Sequence, residues 1–308
     1  MSGPTAVVFA YHDVGVRCLK VLISAGVRIP LVVTVADDPG ENRWYASVAA
    51  TAAEYGLETL TPASAAEPQV EARLAALRPD FLFSFYYRSL LPAALLRAAR
   101  RGALNMHGSL LPRYRGRAPV NWAILKGERE TGATLHYMVE RADAGDIVDQ
   151  LAVPILTDDD AREVFAKVTV AAETVLARSL PKLIAGTAER RPQAILPGEY
   201  FGRRTPQDGR IDWQRPAREI HDLVRAVAPP FPGAFAEVGG ARWEIHRTRL
   251  SDRPAPGAGA WLFGAGGALY AACGGGGVLQ ILSAVQSGAA VDLPRQAQAL
   301  SARPVPLG

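Results

Sequence analysis

Along the first half of the chain, short unbroken apolar runs alternate with stretches of three- to four-residue period. Ala6–Ala10, Ile29–Val35 and Phe81–Phe85 are runs expected of strands covered on both faces of a sheet. Between them, Gly15–Ala25 has apolar positions Val16, Leu19, Val21, Leu22 and Ala25, read as a helical face, and Gly26 ends it. Tyr45–Tyr55 predicts a helix stopped by Gly56, and Gln69–Leu77 another stopped before Pro79, with a turn at Pro39-Gly40. Pro92–Arg100 predicts a short helix, Ala103–His107 a strand and Ala118–Lys126 a helix. Thr134–Val139 and Ile147–Val153 predict strands flanking a loop, Glu140–Asp146. The longest helix follows Thr157-Asp158-Asp159-Asp160, whose acids suit the positive end of a helix dipole, and stops at Gly186. Alternation of this kind predicts an α/β fold with a mostly parallel sheet.

After about residue 200 the texture changes. Proline punctuates the chain, one helix is expected at Ala217–Val227, and short strands are expected at Ala234–Val238, Trp243–Leu250, Ala268–Ala272 and Val278–Leu282. Their spacing suggests a small β-barrel, so residues 1–200 and 201–303 are expected to be separate domains, with 304–308 a frayed tail.

Composition narrows the class. The chain has 308 residues, 49% hydrophobic and 21% charged, which excludes disorder, collagen and coiled coil. No apolar run approaches the roughly 18 residues of a membrane span. The N-terminus lacks a basic n-region and a signal-length apolar stretch, so a cytoplasmic protein is expected. Two cysteines are too few for a disulfide framework, and five scattered histidines match no metal spacing. The formal charge of +4 lies wholly in residues 201–308, as 12 Arg against 8 acids. Those charges are interleaved, and Arg outnumbers Lys 30 to 4, so compositional bias explains the high pI better than a nucleic-acid patch does.

The densest polar segment is Asn105-Met106-His107-Gly108-Ser109 and the Arg-rich loop after it. Asn105 and His107 are two apart on a predicted strand and so share a face, at the strand end where open α/β sheets place ligands. An amide can donate to a developing oxyanion, worth about 3–4 kcal/mol, and an imidazole can move a proton. Gly108 is expected to let a ligand approach the backbone. A carboxylate near His107 would stabilise its protonated form; Asp143 and Asp146 are the candidates. Tyr11-His12-Asp13 and Tyr86-Tyr87-Arg88 follow strands at the same sheet edge, whereas His136 and His221 are expected to be structural. No dinucleotide, Walker or nucleophile-elbow motif is present.

Asn105-x-His107, Ser109-Leu110-Leu111-Pro112-x-Tyr114-Arg115-Gly116 and Asp143-Ala144-Gly145 together resemble the signature of the N10-formyltetrahydrofolate-dependent formyltransferases. Pro206-x-Asp208, Asp212-Trp213, Arg225-Ala226 and Phe231-Pro232-Gly233-Ala234-Phe235 resemble the family's C-terminal domain. The resemblance implies a Rossmann-like catalytic domain and an OB-like barrel, with Asn105, His107 and Asp143 catalytic and no metal. It implies a folate site at Ser89, Leu90, Leu91, Arg117, Val139, Glu140, Arg141, Ala142 and Asp143, with Arg117 facing either folate or the acceptor.

Two branches of the family compete. One formylates methionyl-tRNA; the other formylates nucleotide-linked amino sugars, including UDP-4-amino-4-deoxy-L-arabinose in lipid A modification. Ala10-Tyr11-His12-Asp13, Asp38-Pro39-Gly40-Glu41 with Tyr45-x-Ser47-Val48, Phe83–Arg88 and Arg115-Gly116-Arg117-Ala118-Pro119 resemble the second branch. The acids of that second region, Asp37, Asp38 and Glu41, would also repel a phosphate backbone. The expected partners are therefore folate and a nucleotide-linked amino sugar, not nucleic acid or a membrane, with homo-oligomerisation left open. One bifunctional relative carries a dehydrogenase half for which 308 residues leave no room, so a separate protein is expected to supply that oxidation.

Overall fold

The structure is a computed structural model that describes residues 3–38, 40–195 and 200–307. Pro39 of the expected turn and Gly308 of the expected tail lie outside the described residues. In chain order the elements are β1 (Thr5–Ala10), α1 (His12–Ser24), β2 (Arg28–Val33), α2 (Val48–Glu54), β3 (Thr59–Leu60), α3 (Pro68–Leu77), β4 (Phe81–Phe85), α4 (Ala93–Ala98), β5 (Gly102–His107), β6 (Arg115–Gly116), α5 (Pro119–Leu125), β7 (Glu130–Tyr137), β8 (Ile147–Pro154), α6 (Ala161–Ala185) and β9 (Tyr200–Phe201). They continue as α7 (Ala217–Ala226), β10 (Ala234–Val238), β11 (Ala241–Ser251), β12 (Trp261–Ala265), β13 (Ala268–Ala272), β14 (Val278–Gln286), β15 (Ala289–Ala290), α8 (Leu293–Ala299) and β16 (Val305–Pro306).

The mostly parallel α/β sheet is present, in the order β3-β2-β1-β4-β5-β7-β8. Pairing is parallel from β3 to β5 and antiparallel for β5–β7 and β7–β8. Every residue of β1 and β4 is buried, which is why both read as unbroken apolar runs. One core layer joins Val7, Phe9, Leu31, Val33, Leu74 and Leu82. Helix starts follow local chemistry. The Ser47 hydroxyl accepts the Ala50 N–H at 3.0 Å before α2. Before α6, Asp160 and Glu163 exchange side chain–backbone bonds of 2.9 Å each, a reciprocal cap.

The chain divides into two compact units. The first holds Met1–Pro119, Glu130–Pro154 and Ala166–Phe201; the second holds Gly202–Gly308 with two pieces from earlier in the chain, Val120–Arg129 and Ile155–Phe165. In the second unit a curled antiparallel sheet, β10-β11-β14-β13-β12-β16, makes the barrel-like half that the short strands suggested. Helix α7 packs on β11, and α8 on β12 and β13. Within α7, Asp222 and Arg225 form a buried ion pair at 2.7 Å, and Arg225 also donates to the Asp159 carbonyl at 3.1 Å. The tail departs from expectation: Val305-Pro306 pairs with Leu262 and Trp261, and the Leu307 N–H bonds the Ala260 carbonyl at 3.0 Å. A proline-containing segment suits an edge strand, where one missing N–H costs nothing, and it covers the open side of β12.

Candidate active site

Strand β5 carries Asn105 and His107 on one face at its carboxyl end, as the period-two reading expected. Past them the chain is tied down at short range. Ser109 Oγ donates to the Arg113 carbonyl at 2.6 Å, and Thr134 Oγ1 donates to the Ser109 carbonyl at 2.6 Å. Gln150 Nε2 bonds the Leu111 carbonyl at 2.8 Å. The loop therefore returns to the end of β5, where the Tyr114 carbonyl lies 2.9 Å from His107 Nε2. A carbonyl only accepts, so Nε2 carries a proton.

The other ring nitrogen, Nδ1, lies 3.6 Å from Asp143 Oδ1. The structure thus separates the two carboxylate candidates, because Asp146 points to Arg190 at 3.9 Å instead. Asp143 sits at φ 53°, a left-handed conformation that turns its carboxylate inward from the 139–146 loop. Its Oδ2 accepts the Gly116 N–H at 2.9 Å. The preceding carbonyl, Ala142, takes two guanidinium bonds from buried Arg115 at 3.2 and 3.4 Å. Gln193 Nε2 bridges the Asp143 and Gly145 carbonyls at 3.1 and 2.6 Å. Burial opposes charge on Asp143, but His107, His136, the Gly116 N–H and Arg115 outweigh it and hold the carboxyl below its ordinary value.

His136 is the residue the sequence reading missed. It stands directly opposite Asn105 across β5 and β7, 1% exposed, with Nε2 3.2 Å from Asn105 Nδ2 and 3.7 Å from Asp143 Oδ1. Burial pushes its pKa down to about 4. Its sequence signal was register: two strands flanking one site place any inward polar residue of the second against the first. His221, by contrast, is structural as expected, bonded to Thr248 and the Thr157 carbonyl at 2.9 Å each. Gly108 has a different use from the one expected. A Cβ there would lie 1.7 Å from the Tyr86 hydroxyl, so an aromatic side chain fills that space.

A cavity of about 480 Å3 opens at the amino end of β5 and along the 139–146 loop, lined by Leu96, Arg97, Tyr137, Met138, Val139 and Arg190 among others; Asn105, His107, His136 and Asp143 are not in its lining. Of the residues expected to hold folate, Val139 and Glu140 line it. Ser89 and Leu90 are exposed just before α4, whose Ala93, Leu96 and Arg97 reach the cavity, while Leu91 packs on the core layer. Arg141 and Arg117 are solvent-facing, and Ala142 and Asp143 turn toward Arg115 and His107. Arg97 and Arg190 were not singled out in the sequence; Arg190 lies 3.7 Å over the Tyr137 ring.

A second cluster lies where the sheet reverses direction, outside the carboxyl ends of β1 and β4. Tyr11 and Tyr45 hydroxyls are 2.6 Å apart, Glu41 and Arg88 form an ion pair, and Arg88 stacks 4.3 Å over the Tyr11 ring. His12 stacks on Tyr45 at 3.9 Å, and burial pushes its pKa down to about 3. Asp37 is likewise paired, with Arg43 at 2.5 Å. Two of the three acids expected to repel nucleic acid are therefore neutralised by guanidinium groups. Among the described residues, no group of His, Cys, Asp and Glu could hold a metal, and no helix is long and apolar enough to cross a membrane.

An amide, two imidazoles and a carboxylate gather at the carboxyl edge of a mostly parallel α/β sheet, where enzymes of that architecture place their ligands. Residues 16–180 match the formyl transferase family and residues 203–294 the formyl transferase C-terminal domain, and the chain belongs to that family. The N-formyltransferase of Helicobacter canadensis, solved with folinic acid and dTDP-3-aminofucose, is 20% identical; 91% of this chain and 98% of that one are covered, at a TM-score of 0.71. A 4-N formyltransferase from Francisella tularensis is 22% identical over 79% of this chain and 96% of its own, at 0.63. HypX from Aquifex aeolicus, solved with tetrahydrofolic acid, is 18% identical over 93% of this chain and 45% of that chain, at 0.62. At these identities the likeness is one of fold.

Proposed function

We propose that this enzyme transfers the formyl group of N10-formyltetrahydrofolate to the amine of a nucleotide-linked amino sugar, with UDP-4-amino-4-deoxy-L-arabinose of lipid A modification the favoured acceptor. The observation that carries the reading is the Asp143 carboxylate, held between two imidazoles on the face that bears Asn105. The cavity along the 139–146 loop, with Tyr137, Arg97, Arg190 and Glu140 in its lining, is the site offered for the pterin. Family membership and the folate-bound solved structures support that assignment.

In this reading the amine nitrogen bonds the formyl carbon, the bond from that carbon to N10 breaks, and one proton moves from the amine to N10. Asn105 donates to the formyl oxygen as negative charge gathers there. His107 supplies a proton from Nε2, the one it donates to Tyr114 in this structure. Asp143 steadies the positive ring through Nδ1, and His107 and Asp143 together relay the proton lost by the amine. The sequence stretches that resemble the sugar branch supply Tyr11, Glu41, Tyr45 and Arg88, which meet as one cluster at the sheet reversal. Arg88 and the aromatic rings there offer a sugar nucleotide a charged and stacking surface.

Replacing His107 or Asp143 with Ala tests the roles. Each variant is expected to keep a native circular-dichroism spectrum and lose about 10²–10⁴ in kcat. Near wild-type turnover in either would overturn the assignment.

A further inference from the structure

We infer that His136 is a positioning residue that locks the Asn105 amide with its N–H end toward the reacting carbonyl. The inference rests on the formyl-transfer reading for its consequence, but the lock itself is a property of the free enzyme.

His136 Nδ1 lies 2.9 Å from the Tyr137 carbonyl, which only accepts, so Nδ1 carries hydrogen. The ring is 1% exposed, and burial favours its neutral form. A neutral ring protonated at Nδ1 has a lone pair at Nε2. Two groups face that lone pair: Asp143 Oδ1 at 3.7 Å and the Asn105 amide at 3.2 Å. The carboxylate cannot donate. Only the Asn105 amide can, so its nitrogen, not its oxygen, must face His136. Had the amide turned over, its oxygen would meet that lone pair.

The lock matters for chemistry because a side-chain amide is two-faced. With one N–H given to His136, the second N–H of Asn105 is left to donate at the end of β5. An amide free to turn would present its oxygen to the same place part of the time, and an oxygen repels a developing oxyanion. The register of the sheet makes the lock rigid, since Asn105 and His136 are cross-strand partners.

Three measurements on the full chain test this. With 15N-labelled histidine and no substrate, NMR should show His136 at neutral pH protonated at Nδ1 with a bare Nε2. A proton on Nε2 would overturn the inference whatever the enzyme's substrate. In turnover, His136→Leu should lower kcat about ten- to hundredfold, short of the 10²–10³ lost with a whole oxyanion donor, while both KM values stay within about twofold. His136→Gln, which keeps an acceptor for Asn105, should recover most of the loss; equal losses in both variants would refute the lock. Finally, His136→Leu added to Asn105→Ala should change kcat by less than about twofold, since the two act as one unit. Independent, multiplying losses would show that His136 acts by some route other than Asn105. Absence of turnover by the wild type on any amino sugar, with the predicted NMR state intact, would count against the formyl-transfer reading and not against the lock.

Discussion

At the scale of single residues, the site is built from groups whose charges depend on one another. Asp143 stays ionised despite burial because two imidazoles, the Gly116 N–H and Arg115 surround it. His136 is held neutral down to about pH 4. The two shifts act on stability in adjoining windows. Below pH 6.5 the unfolded chain protonates residue 136 and the folded chain refuses that proton until about pH 4, so stability falls as pH drops through that window. The loss from this one residue is on the order of 3 kcal/mol. Asp143, with its folded value depressed, contributes stability that is present above its ordinary 3.8 and lost as pH falls further. Urea unfolding of wild type and His136→Gln between pH 7 and 4 should therefore show a flatter profile in the variant; parallel profiles would contradict the buried neutral ring. Replacing Asp143 with Asn, which keeps shape and removes charge, should cost about 10²-fold or more in kcat.

At the scale of elements, the 139–146 loop decides whether the carboxylate arrives. A Cβ at Gly145 would lie 2.0 Å from the Tyr137 carbonyl, so Gly145→Ala must push the loop away from β7. Turnover should fall well beyond any loss of melting temperature; a variant as active as wild type would show that the loop's position is not what sets the reaction. In the second unit, Asp222→Ala leaves the Arg225 charge buried and should destabilise by about 3–5 kcal/mol in a denaturant titration. Much of this was legible in the sequence. The buried strands announced themselves as unbroken apolar runs, and Asn105 and His107 followed from strand periodicity. What escaped were contacts set by pairing between distant segments. His136 read as a core residue because nothing local says which strand faces it. Gln193 and Arg190 sit in a stretch without periodicity and act only because the chain returns to the 139–146 loop. Strand β12 was obscured by its glycine-rich flanks and helix α8 by its shortness, although Asp292, which caps α8 by accepting the Arg295 N–H at 3.1 Å, was there to be read.

At the scale of the whole molecule, the choice of acceptor rests on how charge is distributed. The +4 excess lies in residues 201–308, and of the three acids in residues 37–43 two are paired, with Arg43 and Arg88, so this segment offers no net positive surface to a phosphate backbone. An enzyme that grips tRNA neutralises many phosphates and weakens by about 10³-fold or more between about 50 and 200 mM salt. A sugar nucleotide carries only a diphosphate, so kcat/KM on it should change no more than several-fold over that range. The reading of the fold stands on the sheet order and the family match together. The cluster of Tyr11, Glu41, Tyr45 and Arg88 supports the same acceptor. The most direct test supplies the enzyme with N10-formyltetrahydrofolate and either UDP-4-amino-4-deoxy-L-arabinose or methionyl-tRNA, and follows tetrahydrofolate release. Release with the amino sugar and none with the tRNA is the predicted result; release with the tRNA alone would contradict it.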